Sequence, residues 1–410
     1  MADRQRVSEV AVKNLAIASA MPSESYPSAK VVDRAASAGA VVALAGCLLL
    51  PFVEFRPNRI VDGRLLHLLQ CAGVWGWVLL AVLLLSLGAA LLPGRYRGRG
   101  LLAGAVLSFG ALLFALGSAT TKLMPAGDTP ARVSIAGGAW IALVGIAMIW
   151  FQGNRVARSH KASAAAALTG TALLVAAWWF GGLSQLSLAV EYRAQADTFW
   201  QLTYSHVLLV LGGTLIATVI GIPLGIVAAR SGFARAVAIP VVGIIQTIPS
   251  LALYGLLVIP LAALGLPTLG TVPALIALTL YALLPIVRNT FLGVSGVDAS
   301  SIDAGLGMGM SRRQLLWRVE FPLALPLVLE GLRAALVLTI GIAAVMAIAG
   351  AQDLGTLIFL GWGSIAVDLV LLGAIPMVVL SIIADQGMRA LESVVVSPGI
   401  RIPREEELSA

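Results

Sequence analysis

The sequence has little charge. Lys, Arg, Asp and Glu together make up 11% of its 410 residues, whereas 59% of the residues are hydrophobic. A soluble globular domain has about 25% charged and about 45–50% apolar residues. The low charge therefore excludes a soluble globular protein. It predicts an all-α polytopic membrane protein, because an α-helix satisfies its own backbone hydrogen bonds in lipid.

The sequence is also poor in the residue types that build metal sites and active sites. Its two cysteines, Cys47 and Cys71, lie in or beside apolar segments, and its three histidines, His67, His160 and His206, are far apart. This pattern gives neither a disulfide framework nor a metal-ligand spacing. The chain also lacks His-Glu-x-x-His, Gly-x-Ser-x-Gly and the Gly-x-x-x-x-Gly-Lys-Ser/Thr phosphate loop. We therefore predict no catalytic residue, no metal and no cofactor bound by this chain.

Long apolar runs are abundant instead. A membrane-crossing helix needs about 20 mostly apolar residues, and ten stretches of the chain are close to this length. The predicted spans are 36–54, 70–92, 101–119, 133–151 and 164–183, followed by 206–229, 236–262, 271–288, 323–349 and 366–386.

The basic residues are distributed unequally between the two sides that these spans define. Of the 27 Lys and Arg residues, 20 fall on the side of the two termini and 6 on the opposite side, while Arg333 alone lies inside a span. Basic residues are retained in cytoplasmic loops. The distribution predicts that both termini are cytoplasmic.

The chain divides at about residue 195. Residues 1–35 are predicted to form a cytoplasmic tail, and residues 36–195 a membrane domain of five plain helices. Residues 196–390 form a second five-helix region, and residues 391–410 a second cytoplasmic tail. The second region is different in kind, because its spans are rich in proline.

Nine prolines interrupt the spans of the second region. Irregular backbone at membrane depth is tolerated where protein or a water-filled cavity covers it, which favours a translocation path. Proline is also common in membrane helices as a passive kink, and both interpretations remain open for any one position. The prolines are Pro223, Pro240, Pro249, Pro260, Pro273, Pro285, Pro322, Pro326 and Pro376.

The longest predicted cytoplasmic loop of the second region is residues 289–321. Ser300 and Ser301 are predicted to cap a first short helix, and Ser311 a second one with Arg312 outward. Small residues at the bend between the helices allow another backbone to approach closely. We expect a docking element for a cytoplasmic partner. The apolar side of the second helix consists of Leu315, Leu316 and Val319.

This loop resembles the Glu-Ala-Ala loop of ABC importer permeases. The sequence Asp303-Ala304-Gly305, Gly309 and Val319-Glu-Phe321-Pro322 follow the spacing of that motif. In the family the loop forms a coupling helix that seats in a groove of a separate ATPase subunit, on which ATP and Mg bind. The resemblance implies a type I ABC importer permease core with coupling loop 298–317. The implied coupling residues are Asp303, Ala304, Gly305, Gly309, Met310, Arg312 and Arg313.

Three other segments of the second region carry characteristic motifs. They begin at Ile220 (Ile-Gly-Ile-Pro-Leu-Gly), Ile244 (Ile-Ile-Gln-Thr-Ile-Pro-Ser) and Tyr281 (Tyr-Ala-Leu-Leu-Pro-Ile-Val-Arg-Asn-Thr). These segments resemble the permeases of osmoprotectant importers for glycine betaine, choline and related compatible solutes. The five-helix N-terminal half of this chain is additional to the minimal permease. In this respect the chain resembles the extended members of the family, which have an additional N-terminal membrane domain. The usual Gly-Ala-Gly-Gly-Leu-Gly loop here reads Gly-Ala-Gln-Asp-Leu-Gly over 350–355.

The resemblance also implies the partners of the chain. These are two copies of a cytoplasmic ATPase, an extracytoplasmic solute-binding protein and a second permease subunit, identical or different. The composition adds membrane lipid as a partner, and the basic residues are explained by cytoplasmic loops, so we expect no nucleic-acid partner. The membrane is then the bacterial plasma (inner) membrane. Alternatives that stay open are an ABC permease for an amino acid, a sulfonate or an amphiphile, an ion-coupled secondary carrier, and a structural or sensory membrane protein.

One polar cluster lies inside a predicted span. Gln246, Thr247, Pro249 and Ser250 offer hydrogen-bonding groups beside a breakable helix, as a path for a small zwitterion requires. The hydroxyls have the alternative role of satisfying carbonyls that Pro249 frees. Tyr254, one helical turn further, offers cation–π attraction for a quaternary ammonium group, with interfacial anchoring as the alternative.

Charged residues inside the last two spans are few. Glu330 and Arg333 lie three residues apart and are predicted to form an intrahelical ion pair, with direct gating as the alternative. Asp353 and Asp368 fall at the outer interface and Asp385 at the inner one. This placement disfavours a proton relay and therefore an ion-coupled carrier.

Overall fold

The computed structural model of the protein describes residues 33–58, 61–92, 94–124, 131–157, 159–180, 182–397 and 399. The predicted tails, 1–35 and 391–410, therefore lie mostly outside the described residues. The described part of the second tail starts inside a helix that continues to Val395.

Seven helices of the described residues are long and apolar enough to cross a membrane, and the number is eight if one bent pair counts as a single span. Each of the ten predicted spans overlaps an observed helix. Two of them, α1 (Arg34–Leu49) and a later helix, Val74–Ala89, have only 16 residues. Helix α1 ends early because Leu50 is extended and Pro51 follows it.

The described residues form two compact units, and the boundary between them lies between Leu186 and Ser187. In the first unit α1 is followed by α2 (Leu68–Cys71) and α3 (Val74–Ala89). Three longer helices complete the unit: α4 (Gly94–Leu123), α5 (Gly137–Ala157) and α6 (His160–Trp179).

A small antiparallel sheet, which the sequence analysis did not predict, connects these helices. Its strands are β1 (Val53–Arg56), β2 (Arg64–Leu66) and β3 (Arg132–Ile135), in the order β2-β1-β3. Val53 lies opposite both Leu66 and Ile135. The predicted spans 36–54 and 133–151 each included strand residues, because these short apolar segments adjoin helices.

Helices α1 and α5 pack closely through glycines. A Cβ atom on Gly145 would lie 2.4 Å from the Gly39 carbonyl oxygen, and one on Gly46 would lie 2.8 Å from that of Gly138. Small residues allow helix backbones to approach in a membrane, where burial of apolar surface does not drive association. This contact forms part of a core that contains Phe52, which is fully buried.

The second unit contains ten helices among its described residues. The first are α7 (Ser187–Ala194), α8 (Ala196–Arg230), α9 (Gly232–Thr247), α10 (Ser250–Ala263) and α11 (Thr271–Ser295). Two short helices, α12 (Ala299–Gly307) and α13 (Arg312–Leu315), follow. The unit ends with α14 (Phe321–Met346), α15 (Gly355–Gly363) and α16 (Val367–Val395).

Helices α8, α11 and α14 pack against one another at the centre of this unit. The hydroxyls of Thr214 and Thr339 lie 3.2 Å apart and join α8 to α14. A Cβ on Gly225 would meet the Thr290 side chain at 2.6 Å, so α8 and α11 are in close contact. Buried polar side chains paired across helices contribute about 0.6–2 kcal/mol in membrane proteins.

The predicted span 236–262 is broken. Helices α9 and α10 meet at an angle of 110°, with Ile248 extended and Pro249 directly before α10. The residue before a proline is restricted to extended conformations, which ends α9 here.

Candidate functional site

The predicted loop 298–317 forms two short helices joined by a turn. Helix α12 begins after Asp298, not at Ser300 or Ser301 as the sequence suggested. Ser311 caps α13, as predicted: its Oγ accepts the Gln314 N–H (3.3 Å), and the Gln314 side chain accepts the Ser311 N–H (2.8 Å). This reciprocal pair satisfies two backbone donors at the start of α13.

The turn between α12 and α13 depends on one glycine. Gly309 has φ +78°, and apart from its two chain neighbours no described residue has an atom within 4 Å of a Cβ built on it. This left-handed conformation is open to glycine at no steric cost and to other residues at a penalty. The requirement for glycine at 309 therefore comes from the backbone and not from a neighbouring side chain.

The loop residues divide into exposed and buried ones. Gly305 is buried, and a Cβ on it would lie 2.6 Å from Leu315 Cδ1, so Gly305 allows α12 and α13 to pack. Met308 and Trp317 are apolar but exposed (70% and 53%), and the sequence analysis did not include them. The sequence signal that could have found them is that both are apolar but lie outside the predicted apolar side of the loop. The exposed or partly exposed predicted residues are Asp303, Ala304, Gly309, Met310, Arg312 and Arg313.

A π-helical turn, Leu316–Glu320, connects α13 to the membrane helix α14. Such turns are rare and are frequent at functional sites. Glu320 at its end is buried, and its Oε2 accepts a hydrogen bond of 2.7 Å from Arg230 Nη2 at the end of α8. Sequence reasoning missed this pair, because 90 residues separate the partners.

Glu330 and Arg333 are in contact, and the contact extends to a second helix. Arg333 Nε donates to Glu330 Oε2 at 2.9 Å, and Arg333 Nη1 donates to Asp385 Oδ1 of α16 at 2.9 Å. Asp385 also accepts from Arg389 Nε at 3.0 Å. Two carboxylates and two guanidinium groups thus join α14 to α16. From the sequence, Asp385 was expected at the inner interface, but nothing in the sequence indicated that it pairs with Arg333.

The predicted path cluster lies at the bend between α9 and α10. Thr247 is exposed, and its hydroxyl donates to the Ile244 carbonyl at 2.7 Å; Gln246 Nε2 is 3.4 Å from the Tyr281 carbonyl oxygen. The Tyr281 hydroxyl in turn donates to the Ile248 carbonyl. The bend is therefore held from α11. Pro249 is exposed and Ser250 partly exposed beside it.

Tyr254 is buried. Its hydroxyl donates to the Ala349 carbonyl (2.6 Å) and accepts the Gly270 N–H (3.0 Å). Both neighbours are at helix ends, so Tyr254 holds together the segments before α11 and after α14. These contacts give Tyr254 a positioning role in this structure, whereas the sequence suggested a surface for solute.

Asp353 occupies the loop between α14 and α15. It is completely buried; its Oδ1 accepts the Gly355 N–H at 2.6 Å, and its Oδ2 has no hydrogen-bond partner among the described residues. Burial raises the pKa of the Asp353 carboxyl from 3.8 to about 7, while the bond from Gly355 acts in the opposite direction. A carboxyl group in such a place favours its neutral form.

Replacing Asp353 by asparagine is expected to change thermal stability in a pH-dependent way. Between about pH 4 and 7 the folded chain binds more protons at this site than the unfolded chain, so wild-type stability falls as the pH rises. At pH 8 Asp353→Asn should raise the melting temperature, because the amide avoids a buried charge that costs on the order of 3–4 kcal/mol. At pH 5 the difference should be less than half as large, because the folded carboxyl is still protonated there while the unfolded one is already ionised.

The matched control is Asp303→Asn, which changes an exposed carboxylate. We expect its melting temperature in detergent to follow that of the wild type at both pH values. Equal melting temperatures of Asp353→Asn and wild type at pH 8 would contradict the buried-carboxyl assignment.

Comparisons with known proteins agree with this architecture. The family model described as "Binding-protein-dependent transport system inner membrane component" matches residues 221–396. A model described as "ABC transporter permease YehY, N-terminal domain" matches residues 33–189. The two matches fall on the two units of the fold.

Curated relatives match the second half of the chain. A glycine betaine/carnitine/choline transport system permease protein, OpuCD of Bacillus subtilis, is 38% identical over 206 residues, which is 50% of this chain and 87% of that protein. The osmoprotectant import permease protein OsmW of Salmonella typhimurium is 39% identical over 203 residues, covering 49% of this chain and 93% of OsmW.

A chain of the MetNI methionine ABC transporter, solved in inward-facing conformations, is 19% identical with a TM-score of 0.46, covering 50% of this chain and 99% of that one. The relatives and the family model identify the class of the molecule. The chain belongs to the binding-protein-dependent transport system inner membrane components, as a multi-pass membrane permease subunit of an ABC importer and not an enzyme.

Proposed function

We propose that this chain is the permease of an importer for compatible solutes such as glycine betaine, choline or proline betaine. The observation that carries the proposal is the 38% identity to a glycine betaine/carnitine/choline permease over 87% of its length. The relatives' solutes share a quaternary ammonium group. An amino acid, a sulfonate or a larger amphiphile is the alternative cargo.

The partners follow from the family, in which a separate ATPase handles ATP and a binding protein delivers solute. We propose two ATPase copies with ATP and Mg, and a second permease subunit, identical or different, because one five-helix core forms a single wall of a path. The exposed loop residues Met308, Arg312 and Trp317 fit an ATPase surface. The 20-to-6 distribution of basic residues supports cytoplasmic termini in a bacterial plasma (inner) membrane.

The proposed mechanism transmits ATPase closure through the loop 298–317. Helix α13 continues into the π-turn and α14, so a displacement of the loop displaces a membrane helix. ATP, bound by the ATPase, and the loaded binding protein both favour the outward-open state. The two binding sites are coupled because their ligands stabilise the same conformation. Residues 196–390 form the permease core in this account, and 36–195 form an additional membrane domain.

We assign the solute path to the bend that contains Gln246, Thr247, Pro249 and Ser250. Thr247 and Pro249 are exposed, and Gln246 and Ser250 partly so, so polar groups are accessible at a break between two helices. Tyr254 and Tyr281 contribute by holding this break in place.

Removing the charge of Glu320 is expected to weaken coupling. Glu320→Gln leaves Arg230 without its carboxylate, and we expect solute-stimulated ATPase activity and uptake to fall several-fold. The reversed pair Arg230→Glu with Glu320→Arg should recover part of both activities. Measurement of ATPase activity with loaded binding protein checks this. No recovery in the reversed pair, with normal protein amounts, would show that the ion pair is not the cause.

The experiment that tests the proposed function is copurification from membranes of the native host in mild detergent. We expect an ATPase and a solute-binding protein in the eluate. Glycine betaine, choline, an amino acid and a sulfonate can then compete for the recovered binding protein. If only the amino acid or the sulfonate competed, the proposed solute class would be wrong. If the chain eluted without an ATPase, the proposed importer assembly would be wrong.

A further inference from the structure

A crevice of about 370 Å³ lies between α4 and α6 in the first unit. One wall is formed by α4 residues from Arg99 to Leu107, and the other by α6 residues from Ala162 to Thr169. All of the lining side chains are apolar except those of Arg99 and Thr169. The Thr169 hydroxyl donates to the Ala165 carbonyl at 2.8 Å, so it needs no further partner.

The crevice exists because the first half of helix α6 is rich in alanine. None of the residues in its most apolar 18-residue window is buried, whereas 67% of the corresponding window of α4 is. Small side chains do not reach across to α4. Apolar surface that protein leaves uncovered in a membrane is covered by lipid chains.

Arg99 lies at one end of the crevice and is the only charged residue among the described residues that line it. Its side chain is exposed, and no carboxylate of the described residues forms an ion pair with it. A guanidinium group binds phosphate oxygens through paired hydrogen bonds. The described residues therefore supply no anion for the basic end of the crevice, and an anionic ligand can bind there.

The dimensions fit one leaflet of a bilayer. The walls extend over about eight residues of each helix, or about 12 Å at the helical rise of 1.5 Å per residue. Half of the hydrocarbon core is about 15 Å. Arg99 and Ala162 are both near the start of their helices, so the basic end corresponds to the headgroup region and Leu107 to the depth of the acyl chains.

We propose that this crevice binds an anionic phospholipid, with one acyl chain between α4 and α6 and the headgroup phosphate on Arg99. Basic pockets between membrane helices are typical sites for anionic headgroups. A second crevice of about 350 Å³, on the other side of α6, is lined by residues that include Phe109 and Trp150 and has no charged residue. It offers no ligand for a phosphate.

The test uses the full-length protein purified in mild detergent. Dioleoyl phosphatidylglycerol or dioleoyl phosphatidylcholine is added, and retained lipid is counted by native mass spectrometry. We expect the wild type to retain phosphatidylglycerol in preference. Arg99→Gln should reduce this preference roughly fivefold, the effect of one basic residue near an anionic headgroup. Ala166→Leu, which fills the crevice, should abolish retention.

Two matched variants control the test. Arg155→Gln removes a basic residue that does not line the crevice, and Ala164→Leu enlarges an exposed residue of the same helix outside it. Both should retain phosphatidylglycerol as the wild type does. If Ala166→Leu retained phosphatidylglycerol as the wild type does, Arg99 would hold the headgroup alone, and the acyl-chain assignment would be overturned. Equal retention by Arg99→Gln, or no retention by the wild type, would overturn the site.

Discussion

Substitution of Gly309 by valine is expected to reduce solute uptake roughly tenfold or more, with no change in the amount of protein in the membrane. The left-handed conformation of residue 309 is unfavourable for any side chain by about 1–2 kcal/mol, and more for a β-branched one. The turn would then place α13 differently against the ATPase. Beyond its chain neighbours, no atom of the described residues lies within 4 Å of the added Cβ, so the fold of the core is not the cause.

Two further variants separate the backbone conformation from the bulk of the side chain. Gly307→Val adds the same side chain at a position that also has nothing within 4 Å but no positive φ, and it should retain most of the uptake. Gly309→Asn should retain a large part, because asparagine tolerates the left-handed region. Normal uptake by Gly309→Val would contradict the role of this turn.

Substitution of Arg333 by glutamine is expected to give the largest loss of stability. It leaves Glu330 without a cation inside α14, while Asp385 keeps Arg389. Removing one partner of a buried ion pair costs about 3–5 kcal/mol, and partial exposure of these side chains reduces the expected cost to ~2–3 kcal/mol. We expect less protein in the membrane, a lower melting temperature and loss of uptake.

The double variant with Glu330→Gln should recover part of the stability, because it removes the unpaired carboxylate. Glu330→Gln alone should cost less than Arg333→Gln, since Arg333 then still has Asp385. Melting temperatures in detergent rank the three variants. Equal effects of Arg333→Gln and Glu330→Gln, without recovery in the double variant, would show that the four charges do not act as a network.

The sequence predicted the helices well where the apolar signal was long. Apolar runs near 20 residues have few alternatives to a helix in a membrane, so each predicted span overlaps a helix. The strands were missed because Val53–Arg56 shows its two-residue alternation over only four residues. The 110° break at Pro249 was only half visible, since a proline gives a position for a bend but not its angle.

For the candidate site, local features were predictable and distant pairs were not. The Ser311 cap and the Glu330–Arg333 contact follow from spacings of three residues. The partners of Arg333 and Glu320 come from other helices, and only packing brings them together. The hydroxyl contacts of Tyr254 were not predictable for the same reason, because Gly270 and Ala349 are distant in sequence and only the fold places them beside it.

We propose that this chain moves a quaternary ammonium solute when a separate subunit hydrolyses ATP. Uptake of labelled glycine betaine into proteoliposomes that contain the complex purified through this chain tests it most directly. We predict uptake that requires ATP and the binding protein, and that Gly309→Val abolishes. Uptake that proceeds without ATP, and that collapses when an ion gradient is dissipated, would show that the chain is an ion-coupled carrier instead.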